Sequence, residues 1–297
     1  MLEDLKIGSR YDGFIFLAEA RRNPPILVTH RHAELELNLV VEGSITYVVE
    51  GKRQRFQRGS LLWIFPSQRH QLVDRTLDAR YYVAVFKPRM IARVCRGEKY
   101  TPLRSMAPGA DGVMSRLLEK ESVQFLHGTM DSLMEDALDP DLLNREAGFG
   151  LRSNFRFSHH DPDALNAGLH YLLIFCWRHY LGGTQNAHPL RLHPGVRKAV
   201  TLLGRRESPD SLGKLAGECG LSTTYLSRLF LKEMGISVSH YRNAARLSHF
   251  MELWHGPDRL TLLEIVYQAG FGSYAQFFKV FRQSYGQSPR AYLRSGD

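Results

Sequence analysis

The chain has 297 residues, enough for two domains that each bury a core of their own. Apolar residues make up 43% and charged residues 23%, the balance of an ordinary globular protein and not of a disordered or fibrous one. The formal net charge of +9 favours acidic partners, and three cysteines far apart in sequence (Cys95, Cys176 and Cys219), with no CxxC pair, argue against a disulfide framework and for a reducing cytosol. The start, Met1-Leu2-Glu3-Asp4, is acidic and carries none of the basic and apolar regions of a signal peptide. The longest apolar stretch, Leu169 to Trp177, contains His170 and is too short to span a bilayer. The expected location is therefore cytoplasmic, with no membrane partner.

From about Tyr11 to Phe86 the chain alternates apolar and polar residues in short runs: Leu35–Leu39, Ile45–Val49, Leu61–Phe65 and Tyr81–Phe86. Turn signals at Asn23-Pro24-Pro25, Glu42-Gly43, Glu50-Gly51 and Arg58-Gly59 separate them. Short strands at regular spacing predict a β-sandwich or small barrel. On a strand, residues of equal parity share a face, so His30, His32, Glu34, Glu36 and Asn38 point one way, and Leu35, Leu37, Leu39 and Val41 the other. His70 is expected to end a second strand-like run after Pro66. Imidazoles beside a carboxylate suit zinc, iron, manganese or nickel. The same residues also suit a metal-free effector pocket or a purely structural polar network.

From about Pro88 to Gly183 the period turns helical, with Leu117, Leu118, Leu126, Leu133 and Leu138 marking apolar faces. The aromatic cluster Phe175-Trp177-Tyr180 fits a core or a dimer face, with core the default. Asp139 to His160 reads as a loop, and His159-His160 lacks the partners for a metal site. Gly182-Gly183 through His193-Pro194 reads as a linker.

The last hundred residues hold an internal repeat. Leu212, Gly220, Leu226, Arg228 and Phe230 are echoed by Leu262, Gly270, Phe277, Lys279 and Phe281, at an offset of 50 up to the glycine and 51 after it. The echo continues as Gly-x-Ser-x-x-x-Tyr, at Gly235, Ser237 and Tyr241 and again at Gly286, Ser288 and Tyr292. Such spacing means one structural unit built twice. In the first copy Leu212, Leu215 and Ala216 form the apolar face of a short helix, and Gly220 permits a left-handed turn. Ser222 stands at the N-cap of a second helix that buries Leu226, Leu229 and Phe230. Thr223, Thr224, Ser227 and Arg228 are left facing outward. The second copy repeats the plan with Gly270, Ser273 as cap, Phe277 and Phe281 inward, and Tyr274, Gln276 and Lys279 outward. Two αα-hairpins with solvated faces would share this pattern. The charge distribution favours a nucleic-acid partner: from Gly195 onward 14 basic residues face 8 acidic ones, so a third of the chain carries +6 of the +9.

The segment from about His193 to Ser295 resembles the DNA-binding domain of the AraC family of bacterial transcription regulators. The resemblance rests on Leu215-Ala216, Gly220-Leu221-Ser222, Tyr225 to Phe230, Gly235-Ile236-Ser237, Tyr241, Arg246-Leu247, Gly270-Phe271-Gly272, Phe277, Phe281, Gly286-Gln287-Ser288-Pro289 and Tyr292. It implies two three-helix units joined by a long helix, here Val238 to Trp254. It also implies groove-facing roles for Thr223, Thr224, Ser227 and Arg228, and for Ser273, Tyr274, Ala275, Gln276 and Lys279. Two departures stand out: Val266 replaces a usual small alanine, and Phe278 occupies a typically polar position. In the N-terminal region, His30-x-His32-x3-Glu36-x6-Gly43 resembles the first cupin motif. Gly59 through Pro66 to His70 resembles the second, with four residues from proline to histidine where five are usual.

The expected architecture is α+β: a cupin-like β-barrel or sandwich sensor domain (1–88), a helical connector and dimerisation region (89–190), and an all-α tandem helix-turn-helix domain (191–297). The expected function is effector-responsive, sequence-specific transcription regulation without enzymatic activity. DNA-binding residues are Ser222, Thr223, Thr224, Ser227, Arg228, Ser273, Tyr274, Gln276 and Lys279; effector or metal residues are His30, His32, Glu36 and His70. Partners are double-stranded DNA, a small-molecule effector, a second copy of the chain, and RNA polymerase if the protein activates. The rival expectation is a metal-dependent cupin enzyme carrying a nucleic-acid module.

Overall fold

The computed structural model describes the chain apart from residues 1–3, 22–28, 108–112, 136–158, 160, 188, 206–207, 255–259 and 295–297. The turn expected at Asn23-Pro24-Pro25 and all but His159 of the loop expected from Asp139 to His160 lie outside the described residues.

The alternating region folds into seven strands: β1 (Gly13–Glu19), β2 (Leu35–Glu42), β3 (Ser44–Val49), β4 (Lys52–Gln57), β5 (Ser60–Ile64), β6 (His70–Arg75) and β7 (Arg80–Phe86). Later strands β8 (Met114–Leu117), β9 (Thr184–Gln185) and β10 (Leu190–Arg191) complete two antiparallel sheets, ordered β1-β7-β2-β5-β8-β9 and β10-β4-β3-β6. The register places Glu36 opposite Val85 and Ile64, and Asn38 opposite Val83 and Leu62, so these share the inner face. Leu37, Trp63 and Ala84 share the outer face, which the connector covers. His70 opens β6 where it was expected to close a run: the turn after Pro66 ends β5, and His70 pairs with Val49 on β3.

The connector contains α1 (Pro88–Val94), a 3-10 turn (Glu98–Arg104), α2 (Lys120–Glu135) and α3 (Pro162–Gly182). It is not helical throughout. Leu117, expected on a helix, lies in β8, because the open edge of β5 gains a ladder from Met114–Leu117. The expected linker is likewise stitched to both sheets, β9 onto β8 and β10 onto β4. Asp161 caps α3 by accepting from the backbone of Asp163 and Ala164, with Pro162 at the first turn. Leu165, Leu169, Leu172, Leu173, Cys176 and Trp177 of α3 are buried, and the Trp177 ring lies 6.1 Å from Trp63. This run is core against the sheet, and no described helix is long and apolar enough to cross a membrane.

The C-terminal domain comprises α4 (Pro194–Leu203), α5 (Leu212–Glu218), α6 (Thr223–Met234), α7 (Val238–Trp254), α8 (Leu262–Gln268), α9 (Tyr274–Tyr285) and α10 (Pro289–Arg294). The long helix has the bounds expected for it. One core gathers Leu215, Ala216, Leu226, Phe230, Met234 and Tyr241, and a second gathers Phe250, Ile265, Val266, Phe277, Phe281 and Tyr285. Val266 fills the second core fully buried, so the larger side chain replaces an alanine contact without leaving the interior. The first core extends beyond the domain, because Val48 and Val73 of the small sheet pack into it.

Candidate functional site

The repeat is also a repeat of backbone geometry. Gly220 and Gly270 take φ of +70° and +91° at the turns, and Gly235 and Gly286 take +74° and +73° at the ends of α6 and α9. A side chain at these positions would meet the left-handed penalty, which is why glycine recurs there. Ser222 and Ser273 cap the two helices by accepting from the backbone N–H of Tyr225 (3.3 Å) and Gln276 (3.2 Å). Each such cap stabilises its helix by about 1 kcal/mol. Thr261 and Glu264 form a reciprocal capping box on α8, and Ser288 caps α10 before Pro289.

The residues expected to face DNA come out on the exposed sides of α6 and α9. Ser222, Thr223, Thr224, Arg228, Ser273, Tyr274, Ala275, Gln276 and Lys279 are exposed, and Ser227 is half-buried. Phe278, at a typically polar position, is half-buried with its ring 6.4 Å from that of Tyr274. Gln276 Oε1 accepts from the Gly272 N–H at 3.1 Å, so part of its amide is engaged in the turn. Tyr225, not among the residues expected to face outward, is 40% exposed, with the Arg228 guanidinium 5.8 Å above its ring. The offset of 51 places Tyr225 opposite Gln276, and that alignment is the signal which could have found it.

In the barrel, His30, His32, Glu36 and His70 come together although 40 residues separate the first from the last. The isolated bridge between His30 and His70 joins their backbones, at 3.0 Å and 2.8 Å. One ring nitrogen from each of His30, His32 and His70 lies within 4.8 Å of the others, and all three side chains are buried. Glu36 stands beside this set. Its Oε2 is 3.0 Å from His32 Nε2 and 3.6 Å from His70 Nε2, and its Oε1 accepts from Asn38 Nδ2 at 2.7 Å. Tyr47 donates to Asn38 Oδ1 at 3.3 Å, so Asn38 and Tyr47 extend the cluster beyond the four residues expected. Burial pushes the Glu36 carboxyl up, but the hydrogen bond to His32 and the nearby charges of His70 and His32 outweigh it and hold it well below the usual carboxylate range. Burial, reinforced by the negative charge of Glu36, pushes the Tyr47 hydroxyl well up.

The outer nitrogens fix the tautomers. His70 Nδ1 lies 3.0 Å from the Gln68 carbonyl and His32 Nδ1 lies 3.1 Å from the Glu34 carbonyl. A carbonyl only accepts, so each Nδ1 carries the proton, and in a neutral ring Nε2 presents a lone pair to the cluster. His32 Nε2 can then bond to Glu36 Oε2 only if its ring carries a second proton, and His70 Nε2, 3.6 Å from the same oxygen, is buried without a hydrogen bond. Positive charge within the cluster, as imidazolium or as a bound cation, removes the conflict. Histidine ligands commonly donate their other N–H to a carbonyl in this way, and the donor set fits zinc, iron or nickel.

Comparisons agree with both halves. The family description "AraC-like ligand binding domain" matches residues 16–148, and "Helix-turn-helix domain" matches residues 215–295. The chain is 22% identical over 282 residues to the melibiose operon regulatory protein of Escherichia coli K12, covering 92% of this chain and 86% of that one. Over 83 residues it is 31% identical to an uncharacterised HTH-type transcriptional regulator of Staphylococcus aureus, covering 28% of this chain and 11% of that protein. Among solved structures, ToxT from Vibrio cholerae aligns over 97% of this chain and 98% of its own, at 13% identity and a TM-score of 0.36. With a ligand-binding domain matched at one end, a helix-turn-helix domain at the other and a regulator aligned along nearly the whole length, the chain belongs to the AraC family of transcription regulators.

Proposed function

We propose that this regulator reads a two-block DNA site with α6 and α9 and senses its signal at the buried His30–His32–His70 cluster, with a divalent metal as the ligand. The observation that carries the sensing half is the buried convergence of one ring nitrogen each from His30, His32 and His70 within 4.8 Å of one another, beside the Glu36 carboxylate. His30, His32 and His70 would hold the metal, with Glu36 as a fourth donor or as its counter-charge. The metal would supply a fixed positive charge that ties β2 and β6 to the His30 segment. Asn38 and Tyr47 orient the carboxylate, while the Gln68 and Glu34 carbonyls hold the two imidazoles in the ligating tautomer. The same cluster would suit metal catalysis, but its burial in a chain built around DNA-binding helices favours a sensor over a turnover site. The tandem basic helices and the exposed polar sets on α6 and α9 support double-stranded DNA as the partner.

The test is DNA affinity of the full chain measured in Zn2+ and in chelator. The reading expects affinity to change about tenfold between the two, and His70→Ala to abolish that difference while leaving DNA binding itself intact. Equal affinity in Zn2+ and chelator, with no metal retained by the wild-type chain, would leave a protonated cluster and remove the metal.

A further inference from the structure

The backbone pair that holds the cluster is flanked by the residues that hold the DNA-binding domain. Successive residues of paired strands point to opposite faces. His30 and His70 turn their rings inward, with centroids 4.2 Å apart. Thr29 and Gln71, one position away on each segment, turn outward to the small sheet's far face. There Thr29 Oγ1 donates to Gln71 Oε1, and Gln71 Nε2 donates to the Tyr241 hydroxyl on α7 at 3.0 Å. Gln71 and Tyr241 are both buried, beside Val48 and Val73, which pack into the first helix-turn-helix core. A buried polar bond in an apolar contact is geometrically demanding, since misalignment leaves its groups without solvent. Asp74, further along β6, lies 3.9 Å from His240, the residue before Tyr241. Arg53 of β4 packs against Gly235 at the end of α6. Helix α7 joins the two helix-turn-helix units, so its seat on the sheet governs how α6 and α9 are presented.

We propose that β6 is the coupling element of the molecule: ligand binding that draws His30 and His70 together displaces Thr29 and Gln71 on the opposite face, and so changes the seating of α7 through the Gln71–Tyr241 bond. This rests on the histidine cluster being the sensor site. The ligand acts only to the extent that it binds more tightly to one seating of α7 than to the other. By reciprocity, DNA binding that favours one seating of α7 changes the ligand's affinity by the factor by which the ligand changes DNA affinity.

The experiment is amide hydrogen exchange on the full chain with and without Zn2+, in wild type, Tyr241→Phe and Gln71→Met. Tyr241→Phe deletes a single hydroxyl from a packed ring, and Gln71→Met keeps volume, so one serves if the other folds poorly. In wild type, Zn2+ is expected to slow exchange at His70 and its strand neighbours and to change exchange in Val238–Leu247 by about fivefold, the lower end of usual coupling. In the variants the slowing at His70 should persist and the α7 response should vanish. Slowing at His70 with no response in wild-type α7, or the same α7 response in Tyr241→Phe, would overturn the coupling while leaving the sensor reading intact. No effect of Zn2+ at His30 or His70 would overturn the metal reading and the coupling with it.

Discussion

Asp12 stands where β1, α1 and α3 meet, and it shows how single charges fasten the connector to the barrel. Its carboxylate pairs with Arg93 and lies 2.7 Å from His170 Nε2, while its backbone N–H donates to Asn166 at 2.8 Å. Burial raises this carboxyl, but the bonds and charges of His170 and Arg93 outweigh it and leave it below the usual range. A depressed carboxyl contributes stability above its unfolded value of about 4, and that contribution is lost as pH falls through the lower folded value. Asp12→Asn should therefore cost about 1–2 kcal/mol at pH 7, discounted because Arg93 is half exposed, and the gap to wild type in urea melts should narrow as pH falls through the lowered folded value. A gap that does not narrow as pH falls would assign the loss to packing instead. At the DNA face, Arg228→Ala should weaken binding by about 1–3 kcal/mol at one position of the site if Arg228 reads a base, and evenly across sequences if it touches phosphate. Which side chains face outward on α6 and α9 was legible from sequence, because helical periodicity and a duplicated pattern both constrain it. Tyr47 in the histidine–glutamate network was not: its strand was evident, but which face of that strand meets Glu36 depends on a register that alternation within one strand does not give.

Glycines at the helix ends separate local strain from contact between domains. Gly220 has φ of +70° with open space around a would-be Cβ, so Gly220→Ala should cost only the left-handed penalty, about 1 kcal/mol. Gly235 has nearly the same φ, but a Cβ there would sit 2.6 Å from Arg53 Nη2. Arg53 Nη2 is the far end of a flexible side chain, so Gly235→Ala should cost at most about 1 kcal/mol more, and replacing Arg53 by alanine should bring it back to the Gly220 level in a double-mutant comparison of unfolding. Equal costs for the two glycines would mean that Arg53 simply swings aside. Elements with a strong apolar signal were legible from the sequence: β2, β3, β5 and β7 as short runs between turn residues, and the tandem helices by their repeat. Strands β4, β8, β9 and β10 were not, because Lys52–Gln57 is nearly all polar and the other three are short edge additions defined by partners far away in sequence. For the same reason His70 was placed at the wrong end of its strand.

At the scale of the whole molecule, the linker segments at Thr184–Gln185 and Leu190–Arg191 pair with the two sheets, and Gln71 and Val73 dock the first helix-turn-helix unit. The N-terminal and DNA-binding domains therefore share a core at Val48 and Val73, where the sequence suggested a linker between them. That contact was illegible because Val48, Val73 and Gln71 read as ordinary strand residues, and only the assembled fold shows what their outer face meets. The recognition faces of α6 and α9 stay exposed in this docked arrangement, so it does not block DNA by covering them. The most direct test of the central claim is selection of bound sequences from a random duplex library, with purified full chain at fixed salt. Two recognition helices on one chain predict a motif of two blocks about one helical turn apart, with Arg228→Ala degrading one block and Gln276→Ala with Lys279→Ala degrading the other. Recovery of a single block, or of none with only weak salt-sensitive binding, would contradict the account.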